Sequence, residues 1–68
     1  MLVFSERLKE LRLEAKMTQQ QIAERLKIKQ SSYARYEYGN REPTLQTVTQ
    51  IAKIFDVSCD YLLGLTDY

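Results

Sequence analysis

Apolar residues recur along this chain at spacings of three and four, and no stretch alternates with the period of two that a half-buried strand needs. Phe4, Leu8, Leu11 and Ala15 mark one stripe on a first helix, with Leu13 off the stripe and expected at the surface. Thr18 starts a second helix. Gln21, three residues on, completes a capping-box pattern, and Met17 with Ile22 fits a hydrophobic staple. Ile22, Ala23 and Leu26 form the inner face of that helix. Lys27-Ile28-Lys29 leaves room only for a tight turn before a third helical pattern, from about residue 30 to residue 38. Gly39 stands just past its end. After the loop Asn40-Arg41-Glu42-Pro43, Thr44 caps a fourth helix whose inner face is Leu45, Val48, Ile51, Ala52 and Phe55. Ser58 caps a short fifth helix with Asp60 in its first turn, and Gly64 ends it. The pattern predicts an all-α chain of five short helices, without repeat or low-complexity segment.

A length of 68 residues is about half an ordinary domain, so a single domain over 1–68 is expected. A chain this small buries only about 60% of its unfolded surface, which leaves little room for a deep cleft. One cysteine, Cys59, and no histidine exclude an internal disulfide, a Cys/His zinc site and a histidine-dependent triad within this chain. No nucleophile, carboxylate pair or glycine-rich loop is arranged for catalysis, so no enzyme, cofactor, metal or small-molecule ligand is expected. Apolar runs stop at three or four residues, too few to span a membrane. Met1-Leu2-Val3-Phe4 runs straight into Ser5-Glu6-Arg7, too short for the core of a signal peptide, and a cytoplasmic location is expected.

The net charge of +1 is uninformative until it is divided along the chain. Residues 16–41 carry six bases against two acids, whereas residues 42–68 carry one base against four acids. The middle third is a basic block in an otherwise neutral or acidic chain. It contains the third helix, whose residues separate on a helical wheel. Gln30, Ser31, Ala34, Arg35 and Tyr38 share one arc of about 140°, and Ser32, Tyr33, Tyr36 and Glu37 lie opposite. The first arc has no acid. Its side chains match base edges in a DNA major groove: Arg pairs with guanine, Gln with adenine, Ser with either, and the Ala methyl with thymine. A helix, a tight turn and such a second helix form the arrangement that admits the second helix to the groove.

The run Met17-Thr18-Gln19-Gln20-Gln21-Ile22-Ala23-Glu24-Arg25-Leu26, followed by Tyr33-Ala34-Arg35-Tyr36-Glu37-Tyr38-Gly39-Asn40-Arg41-Glu42-Pro43, resembles the Cro/CI-type (XRE, lambda-repressor-like) helix-turn-helix family. Thr44-Leu45, Ile51-Ala52-Lys53 and Val57-Ser58-Cys59-Asp60-Tyr61-Leu62-Leu63-Gly64 resemble that family's closing helices. The likeness covers roughly residues 4 to 65 and implies a five-helix, lambda-repressor-like domain with its helix-turn-helix at about 18–38. It further implies that Ala23 lets the two helices cross closely over a core of Ile22, Leu26, Ile28, Tyr33 and Tyr36. Gln30, Ser31, Ala34 and Arg35 then match base-contacting positions. Gln19, Lys29, Ser32, Tyr38, Asn40 and Arg41 match positions that contact the DNA backbone, Gln19 also steadying the base readers. Arg12 and Glu37 match places where members pair a base with an acid beneath the motif.

Three positions depart from the family pattern. Lys27 stands where glycine is common, so a left-handed conformation there costs roughly 1 kcal/mol. Lys29 replaces a capping Ser or Thr and cannot accept a hydrogen bond. Tyr33 replaces a branched aliphatic residue. The expected function is a sequence-specific transcriptional regulator of double-stranded DNA, a repressor seated on a palindromic operator as a homodimer. Cys59, Tyr61, Leu62, Leu65 and Tyr68 form the expected interface. The competing reading is an antitoxin-like or adaptor module whose ligand is a protein, and a large exposed apolar patch without DNA affinity would distinguish it.

Overall fold

A computed structural model describes residues 2–68, so Met1, the first residue of the expected 1–68 domain, lies outside the described residues. Five helices follow in order: α1 (Leu2–Glu14), α2 (Gln19–Leu26), α3 (Gln30–Tyr38), α4 (Leu45–Phe55) and α5 (Cys59–Leu63). No strand forms among the described residues. The all-α, five-helix architecture expected from the periodicity is therefore the one observed.

The helix starts follow the capping residues. Thr18 Oγ1 accepts from the Gln21 backbone N–H at 3.1 Å while the Gln21 side chain accepts from the Thr18 N–H at 2.8 Å, a complete capping box. Thr44 and Ser58 cap α4 and α5 through the backbone N–H groups of Thr47 and Tyr61. Lys29 precedes α3 without any side-chain cap, as its ammonium dictates.

All five helices end the same way, in a residue with positive φ: Lys16 (57°), Lys27 (60°), Gly39 (80°), Asp56 (55°) and Gly64 (82°). The residue after each one returns a backbone hydrogen bond five residues back, as in Ile28 to Ala23 at 3.0 Å and Val57 to Ala52 at 3.0 Å. The strain expected at Lys27 is present. Lys16 and Asp56 carry the same strain without any signal in the pattern of glycines.

Between these caps, α2 packs on α3 and α4, α1 on α3 and α5, and α4 on α5. Phe4, Leu8, Ile22, Ala23, Tyr33, Ile51 and Leu62 are fully buried at the centre, with Leu26, Tyr36, Val48 and Ala52 close behind. Each large apolar side chain removed from water contributes about 1.5–3 kcal/mol, which is how so short a chain orders five helices. The rings of Phe4 and Tyr36 meet edge to face at 6.5 Å.

Two inner-face expectations are corrected. Leu45 is 81% exposed, because it is the first residue after the Thr44 cap and that turn projects past the core. Ala15 is exposed as well, since α1 stops at Glu14 and the chain reverses at Lys16. Leu13 is exposed as expected.

Candidate nucleic-acid interface

The turn between α2 and α3 takes only residues 27–29, so α3 crosses its neighbour at once. Ala23, fully buried, presents no more than a methyl at this crossing, beside Ile22 and Leu26. Tyr33 and Tyr36 bury the inner side of α3, and Ile28 in the turn packs against the same core. Burying this side turns Gln30, Ser31, Arg35 and Tyr38 to solvent, with Ala34 and Ser32 half-buried at the margins. Lys29, Asn40 and Arg41 are exposed around that face, and Gln19 is half-buried beside it. The Arg41 guanidinium carbon lies 5.5 Å from the centre of the Tyr36 ring, a cation–π contact that gives a loop side chain a fixed neighbour. All four expected base readers and all six expected backbone-contacting residues thus lie on α3 or directly around it.

Behind this face lies a buried polar cluster. Arg12 of α1 grips Glu37 of α3 with two nitrogens, Nε to Oε2 at 2.6 Å and Nη2 to Oε1 at 3.1 Å. Arg12 Nη1 also donates to the Met17 carbonyl at 3.0 Å, which ties the α1–α2 turn to the same group. Tyr33 Oη donates to Glu37 Oε2 at 2.5 Å and Gln19 Nε2 to Glu37 Oε1 at 3.2 Å. The expected Arg12–Glu37 pair is present, and two further donors join it.

Burial by itself would raise the Glu37 pKa, but the hydrogen bonds from Arg12, then Tyr33 and Gln19, outweigh it, and the carboxyl is held below its ordinary value. The hydrogen bond to Glu37 raises the Arg12 pKa against the opposing effect of burial. Burial first, and then the bond to Glu37, raises the Tyr33 phenol. The cluster therefore stays an ion pair with a neutral phenol. One of the two acids in the basic block is neutralised inside the protein, and Glu24 alone remains exposed there.

The C-terminal third divides differently from expectation. Leu62 is fully buried among the core residues and has no surface to offer a second copy, which corrects its assignment to the interface. It belongs to α5, whose inner side must close the core beneath α1 and α4. Cys59 and Tyr61 are half-buried, whereas Leu65 and Tyr68 are 75% and 93% exposed. Leu2 and Val3 of α1 are exposed too, and Val3 lies so close to Gly64 that an added Cβ there would meet its Cγ1 at 3.0 Å.

Three contributions escape the sequence reading. The hydroxyl of Tyr33 and the amide of Gln19 both serve Glu37, and the spacing of four between Tyr33 and Glu37 on one helix was a usable signal. Arg7 is the third. It donates through Nη1 to the Tyr61 carbonyl and, at 2.6 Å, to the Thr66 carbonyl. It also lies 4.3 Å from the centre of the Tyr61 ring and 3.6 Å from Asp67, clamping the end of the chain to α1. Nothing local announces that role.

Among the described residues, no group of three or more His, Cys, Asp or Glu could hold a metal ion, and no helix is long and apolar enough to cross a membrane. A family model described as Helix-turn-helix matches residues 8–62. The chain is 43% identical over 65 residues to YobD, an uncharacterized HTH-type transcriptional regulator of Bacillus subtilis, covering 96% of this chain and 58% of that protein. It is 49% identical over 61 residues to YqaE, another uncharacterized HTH-type transcriptional regulator of that organism, covering 90% and 53%. Identity to the cryptic phage CTXphi transcriptional repressor RstR of Vibrio cholerae is 33% over 55 residues, covering 81% and 50%. The chain spans about half the length of the curated relatives it matches.

Proposed function

The chain belongs to the helix-turn-helix family, in agreement with the Cro/CI-type resemblance of its sequence, and from that premise we propose that it is a sequence-specific, double-stranded-DNA-binding transcriptional regulator. The observation that carries this reading is the outward face of α3. It is exposed, free of acids and populated by Gln30, Ser31 and Arg35, while its other side is held rigidly by Tyr33, Tyr36 and Glu37. Gln30, Ser31, Ala34 and Arg35 read base edges in the major groove. Gln19, Lys29, Ser32, Tyr38, Asn40 and Arg41 contact the phosphate backbone and set the register. Relatives named as repressors support regulation by occupying an operator.

One recognition helix spans about four or five base pairs, too few to single out a site in a genome. The unit on DNA is therefore a homodimer on a palindromic operator, with half-sites about 34 Å apart. Cys59, Tyr61, Leu65 and Tyr68, joined by exposed Leu2 and Val3, supply the pairing surface.

Selection of genomic fragments by the purified protein at about 150 mM salt tests the reading, because lower salt inflates non-specific binding. Recovery of a short palindrome by the native protein, and not by Arg35→Ala, is the expected outcome. No enrichment over Arg35→Ala would overturn it and turn attention to a protein ligand.

A further inference from the structure

Residues 65–68 follow α5 with no helix or strand of their own, yet they are tied closely to α1. Gly64, in the left-handed region at φ 82°, reverses the chain, and the Leu65 N–H returns to the Asp60 carbonyl at 2.9 Å. Val3 of α1 occupies the space that a Cβ on Gly64 would need. Beyond this turn the hold passes to Arg7. Its guanidinium donates to the Tyr61 and Thr66 carbonyls, lies 4.3 Å from the centre of the Tyr61 ring and pairs with Asp67. A guanidinium can do all of this at once because its donors fan out in one plane while its faces stay free to stack; an ammonium has no such face. The Tyr61 carbonyl also accepts from the Gly64 N–H at 3.2 Å, so one oxygen serves both the turn and the clamp.

Leu65 is thereby fastened on both sides, by its own N–H and by the carbonyl of the next residue, while its side chain stays exposed. It cannot swing inward without breaking one of those bonds. An apolar side chain already held in place loses less conformational entropy when a partner covers it. Arg7 also settles a charge of this surface. In a two-fold pair a patch meets its own copy, so a lone acid within it would face an equal acid. Asp67, whose side chain is fully exposed, lies 3.6 Å from Arg7, and its charge is offset inside one molecule. Exposed Leu65 beside a neutralised Asp67 suits a second copy of this chain better than a partner of opposite charge.

We propose that Arg7 is the positioning residue of the homodimer: by clamping segment 65–68 to α1 it presents Leu65 to a second copy of the chain. The inference rests on the homodimer proposed above. Arg7 is itself half-buried against its own chain and acts through Leu65.

Sedimentation equilibrium of the native protein, Arg7→Lys, Leu65→Ala and the double variant tests this, each verified as folded by circular dichroism at the working temperature. Arg7→Lys keeps a positive charge beside Asp67 and gives up the paired carbonyl bonds and the stack on Tyr61. Its self-association should weaken about tenfold or more, and that of Leu65→Ala by a similar factor. The double variant should lose little beyond either single change, because both remove the same anchor. A clamp that only stabilised the monomer would lower the melting temperature and leave association of the folded protein unchanged. Native-strength association by folded Arg7→Lys, or losses that simply add in the double variant, overturns the inference and leaves the homodimer standing. If Arg7→Lys does not fold, Leu65→Ala decides alone: native-strength association there overturns the inference, and the expected loss sustains it. A native protein that stays monomeric at every concentration removes the homodimer and the inference together, and leaves the base-reading face as proposed.

Discussion

Arg12 and Glu37, 25 residues apart in the chain, form a two-point ion pair whose side chains are only 12% and 2% exposed. The pair joins α1 to α3 and lies directly behind the face proposed to read DNA. A buried pair of this kind contributes little over an apolar substitute but is costly to break from one side. Its value here is geometric: three side chains, one from each of α1, α2 and α3, converge on one carboxylate.

Arg12→Met should therefore destabilise the fold by about 3–5 kcal/mol, since it leaves Glu37 ionised and buried with only Tyr33 and Gln19 as donors. Combining Arg12→Met with Glu37→Leu and Tyr33→Phe should cost well under the sum of the single changes. Urea midpoints for the series check this, provided the slope stays constant. Additive losses would show that the cluster does not act as a unit.

The same cluster fixes a pH dependence. The folded pKa of Glu37 lies below its unfolded value of about 4.3, so in the interval between the two the unfolded chain binds more protons. The stabilisation is complete above about pH 4.3 and is lost as pH falls through the lowered folded value. Arg12 stays charged throughout this range. Thermal melts between about pH 7 and pH 2 should show a steeper acid decline for the native protein than for Glu37→Gln. Parallel curves would refute the assignment.

The two lysines at the ends of the α2–α3 turn should both gain stability on substitution but differ in what they do to DNA binding. Lys27→Gly relieves a left-handed backbone at φ 60° and should raise stability by about 0.5–1 kcal/mol without changing DNA affinity. Lys29→Asp supplies the cap that α3 lacks and should raise stability by about 1 kcal/mol, yet weaken DNA binding by placing an acid where a phosphate contact is proposed. Calorimetry and DNA titrations on the same samples separate the two effects.

Arg35 and Arg41 should differ in what they cost. Arg35→Ala should lose about 1–3 kcal/mol on the operator and relax preference at one base position. Arg41→Ala should weaken all sequences alike and reduce the salt slope by about one. Titrations against operator and random duplex over a salt series check both, and equal losses on the two duplexes for Arg35→Ala would contradict its role.

Leu62 and Leu65, three residues apart, should separate core from pairing surface. Leu62→Ala opens a cavity in the monomer and should cost about 2–5 kcal/mol. Leu65→Ala should leave monomer stability within about 0.5 kcal/mol while weakening self-association. Sedimentation across a concentration series, beside denaturant melts, reads both quantities.

What was legible in the sequence was local. Thr18, Thr44 and Ser58 act on backbone groups three residues away, and Phe4, Leu8 and Leu11 share a face because a helix returns every three to four residues. The helices, most of their buried faces and the polar arc of α3 therefore follow from the order of residues alone. The Arg12–Glu37 pair was legible only because the sequence resembles a family that places a base and an acid there. Tertiary structure decided the rest. Whether Leu62 or Leu65 is buried, whether Gln19 and Tyr33 reach Glu37, and whether Arg7 reaches Tyr61, 54 residues on, all depend on how whole helices cross. A helical period states which side chains share a face; it carries no information about which other helix that face will meet.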